Sequence, residues 1–322
     1  MIRLSEASAI ELGLINKCSD IAPTTAYIMI GEKCDNKCWF CSQSQESSSR
    51  KDKLSRVIWP QFSKEDMLKS LKNYKGDKIK RICIQSMYND KAHKDVENFI
   101  KYIKDEINIP ISLSAKIENE DEINKFFSYG VDKIGIAVDA ANKELYRQIK
   151  GGDFDQKVEY ILQQSKKYPN KISTHIIVGM GETHEEICNL YKLFKENNVN
   201  VSLFAFTPVK GTKMENISQP PIDSYRKVQL MSYMIDKGYG LDNFIFENGN
   251  IKNIIIDNHI KEDINKGYPF EIRGCKDCNR PYYNERPGKT IYNYSLPLDK
   301  KQSELAIKQL NKEILLEKLT TI

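Results

Sequence analysis

Residues 24–44 read TTAYIMIGEKCDNKCWFCSQS. The first seven, TTAYIMI, are β-branched, aromatic or otherwise apolar, the make-up of a buried strand. Three cysteines follow at once, spaced Cys34-x3-Cys38-x2-Cys41. Thiolates this close on one loop converge on one soft metal centre, and such sites select zinc or iron–sulfur clusters. A structural zinc site is closed by four ligands. Three cysteines leave one position open, as a catalytic [4Fe–4S] cluster with a free iron requires. The rival is a zinc site completed by a distant residue.

Outward from this stretch, short β-rich runs alternate with segments of helical period. Candidate strands are 24–30, 79–84, 111–115, 133–138, 172–178 and 200–206. Val96, Phe99, Ile100 and Ile103 repeat with the spacing of one buried helix face, and so do Ile187, Leu190, Tyr191 and Phe194. Ser63 with Asp66 reads as a helix start, and Gly130 as a helix stop after Phe126 and Phe127. The strands are nearly continuous apolar runs, which fits parallel strands buried on both faces. Six such units predict an α/β fold, a doubly wound sheet or a barrel. A polar, Tyr-rich segment begins near residue 267, and 303–322 reads as an amphipathic helix carrying Leu310, Ile314 and Leu319.

Composition excludes several classes. Mean hydropathy is −0.54, and no run approaches the roughly 20 apolar residues that span a bilayer. The start MIRLSEASAIELGL has two Glu and no small-residue cleavage site, so it does not read as a secretory signal. The net charge of +5 comes from mixed signs and does not mark a nucleic-acid binder; it suits an acidic protein partner. The eight cysteines are clustered rather than spread, which in a reducing, cytoplasmic setting means metal rather than disulfides. There is no Walker A loop, nucleophile elbow or HExxH. His93, His175, His184 and His259 form no ligand spacing; His175 is the one expected to face inward, the others the surface.

The second group is GCKDCNRPYYNERPGKTIYNYS, residues 274–295. Cys275-x2-Cys278 fits an auxiliary iron–sulfur cluster, a zinc knuckle or a redox dithiol. Pro281 and Pro287 argue against the helix a dithiol would open. Arg280, Arg286 and Tyr282, Tyr283, Tyr292 and Tyr294 surround the pair, and the tyrosines are candidate walls of an acyl channel or a packed cap. Cys18, sixteen residues before Cys34, is a third candidate ligand, with Ser295 or an Arg as a fourth; its alternative is a small buried hydrophobe. Cys188 falls on a helix face beside Ile187 and reads as core.

Cys-x3-Cys-x2-Cys with an aromatic, Phe40, before the last cysteine resembles the radical S-adenosylmethionine (SAM) superfamily. The resemblance implies a partial (β/α)6 TIM-like barrel over 24–266, an N-terminal extension 1–23 and a C-terminal auxiliary-cluster segment with tail helix, 267–322. It implies that Cys34, Cys38 and Cys41 bind three irons and SAM the fourth. One electron, from a donor such as ferredoxin or flavodoxin, then cleaves SAM to methionine and a 5′-deoxyadenosyl radical. HIIVGMGETHEE (175–186) resembles the Gly-rich turn of biotin and lipoyl synthases, with Gly179, Gly181 and Glu182 at the nucleoside; a tight turn needing positive φ is the other reading. Asp139 is a candidate ribose ligand or an N-cap, and Arg147 a candidate partner of the SAM carboxylate or a solvated side chain. Where the family often has Gly-Gly-Glu, this chain has Gln85-Ser86-Met87; Ser114 on strand three completes the SAM-contact set.

Within that superfamily, the biotin synthase pattern asks for inward cysteines on several strands. Cys83 fits one, but Ser112, Ser114 and Ser173 stand at the others. The Cys-x4-Cys-x5-Cys of ordinary lipoyl synthase is missing. RLSEASAIELGL, LSRVIWPQF (54–62), LFAFTPVKGT (203–212) and CNRPYYNERPG (278–288) look like the two-component, archaeal-type lipoyl synthases. That likeness implies a sulfurtransferase acting on an octanoyl group of an acidic carrier domain or peptide, with a related second radical SAM subunit. The alternatives are a biotin synthase-like or other radical SAM sulfurtransferase, and a zinc or iron–sulfur protein without SAM chemistry.

Overall fold

The computed structural model describes residues 1–285 and 287–317; Arg286 and Leu319 lie outside them. The chain begins with β1 (Ile2–Leu4), α1 (Glu6–Glu11) and β2 (Thr25–Ile30). Three short strands follow, β3 (Lys53–Leu54), β4 (Val57–Ile58) and β5 (Gln61–Phe62). Helix and strand then alternate through α2 (Lys64–Asn73), β6 (Arg81–Ser86), α3 (Asp90–Lys104) and β7 (Ile111–Ser114). Next come α4 (Glu120–Ser128), β8 (Val131–Gly135), α5 (Lys143–Ile149) and α6 (Phe154–Lys167). The last barrel unit is β9 (Ile172–Val178), α7 (His184–Glu196) and β10 (Asn200–Ala205).

Strands β2, β6, β7, β8, β9 and β10 pair in parallel in that order. This is the expected partial (β/α)6 barrel. β1 lies antiparallel on β2, and β5 on β1, so the N-terminal extension widens the sheet. Local signals place the elements. The Ser63 hydroxyl accepts the Asp66 N–H at 2.9 Å and starts α2; Gly130, at φ +86, follows the end of α4.

β2 is buried on both faces, as its composition predicts, but β9 and β10 are not. In β9, Ile172, Thr174, Ile176 and Val178 are buried under the helices, while Ser173, His175 and Ile177 are only half-buried. β10 alternates the same way, with Asn200, Ser202 and Phe204 facing in. The outer apolar set packs on Val96, Phe99, Ile100 and Ile103 of α3 and its neighbours, each buried aliphatic contributing about 1.5–3 kcal/mol. The inner set leaves a polar lumen.

After the barrel come α8 (Ile222–Asp236), the hairpin β11 (Phe244–Glu247) and β12 (Asn250–Ile256), and α9 (Asn258–Lys266). Asn248 and Gly249, both at positive φ, make the hairpin turn. The helix expected over 303–322 is shorter: α10 runs Lys300–Leu310. Asn311, at φ +60, breaks it; Ile314 sits in a 3₁₀ turn, and β13 (Leu315–Glu317) joins β12.

Residues 274–285 run up the open side of the barrel, between its first and last strands. On the β2 side, Thr24 donates its N–H to Asn279 Oδ1 at 3.0 Å and its hydroxyl to the Asp277 carbonyl at 2.6 Å. On the β10 side, Asn200 Nδ2 donates to the Gly274 carbonyl at 3.0 Å and Asn284 Nδ2 to the Ala205 carbonyl at 2.7 Å. The buried Glu285 carboxylate accepts the N–H groups of Asn284, Tyr292 and Asn293 and holds the end of this segment.

Candidate functional site

Cys34, Cys38 and Cys41 lie in the loop that leaves the C-terminal end of β2. Gly31 lets that loop pass close to α3: at φ +110, a Cβ there would meet Met87 and Ala92 at 2.7–2.9 Å. Trp39 N–H donates to the Ile149 carbonyl at 2.8 Å, and Phe40 packs on the core, so the loop is tied down between its cysteines. Cys34 Sγ accepts the Tyr88 N–H at 3.3 Å and Cys41 Sγ the Gln43 N–H at 3.4 Å. Burial pushes the Cys38 and Cys41 thiols up to about 12. Ligation therefore displaces protons, and the two N–H donors favour the thiolates that a cluster needs. Among the described residues no three Cys, His, Asp or Glu side chains close on a single metal ion.

Beside this loop, at the end of β8, stands Asp139. It is not the N-cap of α5; Asn142 is. Asp139 is buried at φ +64, a conformation costly for a non-glycine residue. His175 Nε2 lies 2.6 Å from one of its oxygens, and Lys150 Nζ pairs with the other. Burial opposes charge on Asp139, yet Lys150 and His175 outweigh it and hold the carboxyl far below its usual range. Burial likewise works against the Lys150 ammonium, and Asp139, with Tyr146 and Cys38, more than offsets it, raising its pKa. Arg147, the sequence candidate for the SAM carboxylate, is exposed in the last turn of α5. Lys150, three positions on, is the cation that reaches the site.

Gln85 and Ser114 lie on the lumen side of β6 and β7, and Ser86 at the C-terminal end of β6 donates to the Met87 carbonyl at 3.0 Å. The 86–88 stretch thus cradles Cys34 through backbone groups. Gly179 does not lie open to a ligand: at φ +102, a Cβ there would meet Pro220 at 2.7 Å. Gly181 turns at φ +129. Glu182 is occupied by the turn itself, accepting the Gly179 and Met180 N–H groups. The turn reading of these three residues is the one their contacts support.

Cys278 on the plugging segment and Cys83 on β6 pack against the same apolar cluster, which Cys18 does not join. Cys18 is exposed in the loop before β2. Cys83 is pushed up by burial and then by Cys278 and Cys275, which face it. Ser112, paired with Cys83 in register, has its Oγ 3.9 Å from Cys275 Sγ. Ser295 instead follows the bridge between Glu271 and Tyr294. Arg81 donates to the Lys276 carbonyl at 3.2 Å, and the Arg280 guanidinium stacks 4.0 Å above Phe204. Asp277, Arg280 and Tyr282 all hold positive φ, and strain of this kind gathers at functional sites.

The two cysteine groups face one another across the lumen. Tyr283 is half-buried, and its ring meets Phe204, which in turn meets His175. A second apolar cluster of Tyr27, Met29, Trp59, Met87 and Ala92 touches Cys34 at one end and Cys83 and Cys278 at the other. The Trp59 indole N–H is buried there without an acceptor among the described residues. Tyr292 and Tyr294 are elsewhere, packed on Tyr225 and Arg226 of α8. His175 faces inward as expected, but His184 is buried, bonded to Ser224 and to the Ile251 N–H. Cys188 is core.

The sequence profile of the Radical SAM superfamily matches residues 28–194. The chain belongs to that superfamily. The family carries a [4Fe–4S] cluster and SAM, which the Cys34 loop fits. An uncharacterized protein of Methanocaldococcus jannaschii is 28% identical over 155 residues, 47% of this chain and 41% of that protein. A biotin synthase of Methanococcus aeolicus is 26% identical over 183 residues, 56% of this chain and 54% of the enzyme. The chain thus spans roughly half the length of these curated relatives. Two solved structures share the fold: the FeFe-hydrogenase maturase HydG from Carboxydothermus hydrogenoformans (TM-score 0.55, 15% identity, 92% of this chain, 67% of that one) and a methylornithine synthase (0.51, 18%, 66% and 62%). Cys275 and Cys278 lie beyond the matched region. No helix among the described residues is long and apolar enough to cross a membrane.

Proposed function

We propose that this radical SAM enzyme inserts sulfur, drawing it from an auxiliary [4Fe–4S] cluster held by Cys83, Cys275 and Cys278. The observation that carries the reading is that Cys83 and Cys278 pack on one apolar cluster, with Cys275 beside Ser112, the register neighbour of Cys83. When bound, the first cluster and SAM supply a radical able to take hydrogen from an unactivated carbon. The chain's own task is placement: a carbon radical must meet sulfur within bonding distance before it is quenched. The plug of residues 274–285 spans the side of the barrel between Thr24 before β2 and Asn200 and Ala205 of β10. Lys150 and Asp139 present paired charges beside the first cluster, for the polar groups of SAM. Arg280 and Ser112 are the candidate non-cysteine neighbours of the second cluster.

The substrate proposed is an octanoyl group on a lysine of an acidic carrier domain or peptide, with a related second radical SAM subunit sharing the reaction. The likeness of 54–62 and 278–288 to two-component lipoyl synthases supports this, and the net charge of +5 suits an acidic carrier. Of the four tyrosines considered for an acyl channel, Tyr283 is the one in the lumen.

A biotin synthase-like reaction is the second reading. It is favoured by Cys83 on its barrel strand and by relatives named biotin synthase. Against it, Ser112 and Ser173 replace strand cysteines. The test is mass spectrometry of an octanoyl-lysyl peptide and of dethiobiotin, each with SAM and reductant, with and without the partner subunit. Sulfur gained by the peptide supports the first reading; turnover of dethiobiotin alone selects the second.

A further inference from the structure

A wide cleft lies away from the Cys34 loop. It has a volume of about 810 Å³ and opens at the opposite end of the barrel. Its wall includes Thr24, Asn170 and Asn198, which lie just before β2, β9 and β10. Cys275 and Cys278 line the same cleft. The second cysteine group is therefore reached from the N-terminal ends of the strands, without passing the SAM side.

The charges around this cleft are of both signs. Asp236 is taken up by Lys195 at 3.1 Å and Arg273 at 3.7 Å. Lys133 and Lys276, with Glu271 and Asp277, also line it, and no ion pair among the described residues engages these four. Two cations and two anions beside two thiols match a small zwitterion that carries sulfur. A volume of this size holds a molecule of amino-acid scale with room for water.

We infer that this cleft binds a zwitterionic low-molecular-mass persulfide, of the cysteine persulfide class, as the sulfur source of the auxiliary site: its S–S bond breaks, the outer sulfur is taken up as sulfide with two electrons from the reductant that serves SAM cleavage, and cysteine leaves as its thiolate. Lys133 and Lys276 receive its carboxylate, Glu271 and Asp277 its ammonium, and its sulfur lies against Cys275. The inference rests on the reading of Cys83, Cys275 and Cys278 as a sulfur-donating site. Sulfur spent there must be replaced by a preceding sulfur-supplying reaction, and this entrance stays open while SAM and substrate fill the other.

Thiol–disulfide exchange on the full chain, freed of iron, tests it. The probe is cystine; hydroxyethyl disulfide is the uncharged comparison. In each case the Cys275 thiolate attacks one sulfur, the probe's S–S bond breaks, a new S–S bond forms and one thiolate leaves, with no net redox change. Peptide mass spectrometry reads the adducts, and exposed Cys18 normalises each reagent. Cys275 is expected to prefer cystine by ~10-fold over Cys18, the low end of electrostatic focusing in a cleft. The preference should vanish in Lys133→Ala/Lys276→Ala, with the fold checked by thermal melting. A Cys275 that stays unmodified, that shows the same reagent ratio as Cys18, or that keeps its preference in the double variant overturns the inference. Iron counting is the separate check on the auxiliary site: a wild-type chain with no second cluster overturns that reading even where cystine is preferred.

Discussion

The Tyr27 hydroxyl lies 3.4 Å from Cys278 Sγ, joining the first barrel strand to a cysteine 251 positions later. The phenol oxygen already accepts the Arg280 N–H at 2.9 Å. With Cys278 as a thiolate, the phenol proton is the donor to sulfur. One side chain thus fixes the plug and sets the polarity around the second cysteine group.

Tyr27→Phe should therefore do two things. It orphans the buried Arg280 N–H, at a cost of about 1–3 kcal/mol in denaturant unfolding. It also removes a hydrogen bond to a cluster ligand, so the second cluster should be harder to reduce. A redox titration followed by electron paramagnetic resonance should show that cluster alone moving to lower potential. Movement of both clusters together would deny Tyr27 this local role.

Anaerobic reconstitution should give about eight iron per chain, as two [4Fe–4S] clusters. Losing Cys34, Cys38 and Cys41 should leave roughly half of that iron and abolish SAM cleavage. Cys83→Ser or Cys275→Ala should also leave half, with 5′-deoxyadenosine formation intact. Cys18→Ser should leave iron unchanged. Loss of the second cluster in Cys18→Ser, but not in Cys83→Ser, would restore the ligand set that sequence spacing suggests.

The barrel was readable because each strand carries a strong local signal, and the Cys34 loop because its spacing is compact. Cys83 was hard to place because its partners come from a segment some 190 positions away, on the unpaired side of the barrel. Its position on the lumen face of β6, one residue from the apolar Ile82 and Ile84, was the available clue. Lys150 was passed over for Arg147 because it is the C-cap of α5, where the chain leaves the helical path that the spacing describes. The lumen itself was obscured by composition: Ile28, Ile134 and Ile176 face the helices, and the polar residues between them, such as Ser173 and His175, mark the inside.

Asp139→Asn should leave Lys150 buried without its counter-charge and cost about 3–5 kcal/mol. Asp139→Asn/Lys150→Met should recover part of that loss, which equilibrium unfolding of both variants will show. The folded-state pKa of Asp139 is depressed, so its contribution is complete above the ordinary carboxyl range, about pH 4. It is lost as pH falls from there toward the folded value. Equal stability of the single and double variants would mean that the pair is not coupled.

His184 gives a second pH signature. Burial holds its pKa down to about 4, below the ordinary 6.5. The unfolded chain then binds the proton first, so stability falls as pH drops from 6.5 to 4, by about 3 kcal/mol in all. His184→Gln should flatten the unfolding profile across that window. An unchanged slope in the variant would assign the acid sensitivity to other groups.

The central claim, that sulfur held by Cys83, Cys275 and Cys278 enters the substrate, is tested most directly by isotope. The chain is reconstituted with heavy-isotope sulfide, freed of excess sulfide, and given SAM, reductant, the partner subunit and an octanoyl-lysyl peptide. Mass spectrometry of the peptide should show sulfur gained and that sulfur heavy, with Cys275→Ala giving 5′-deoxyadenosine but no thiolated peptide. A thiolated peptide carrying light sulfur, or one still formed by Cys275→Ala, would contradict the account.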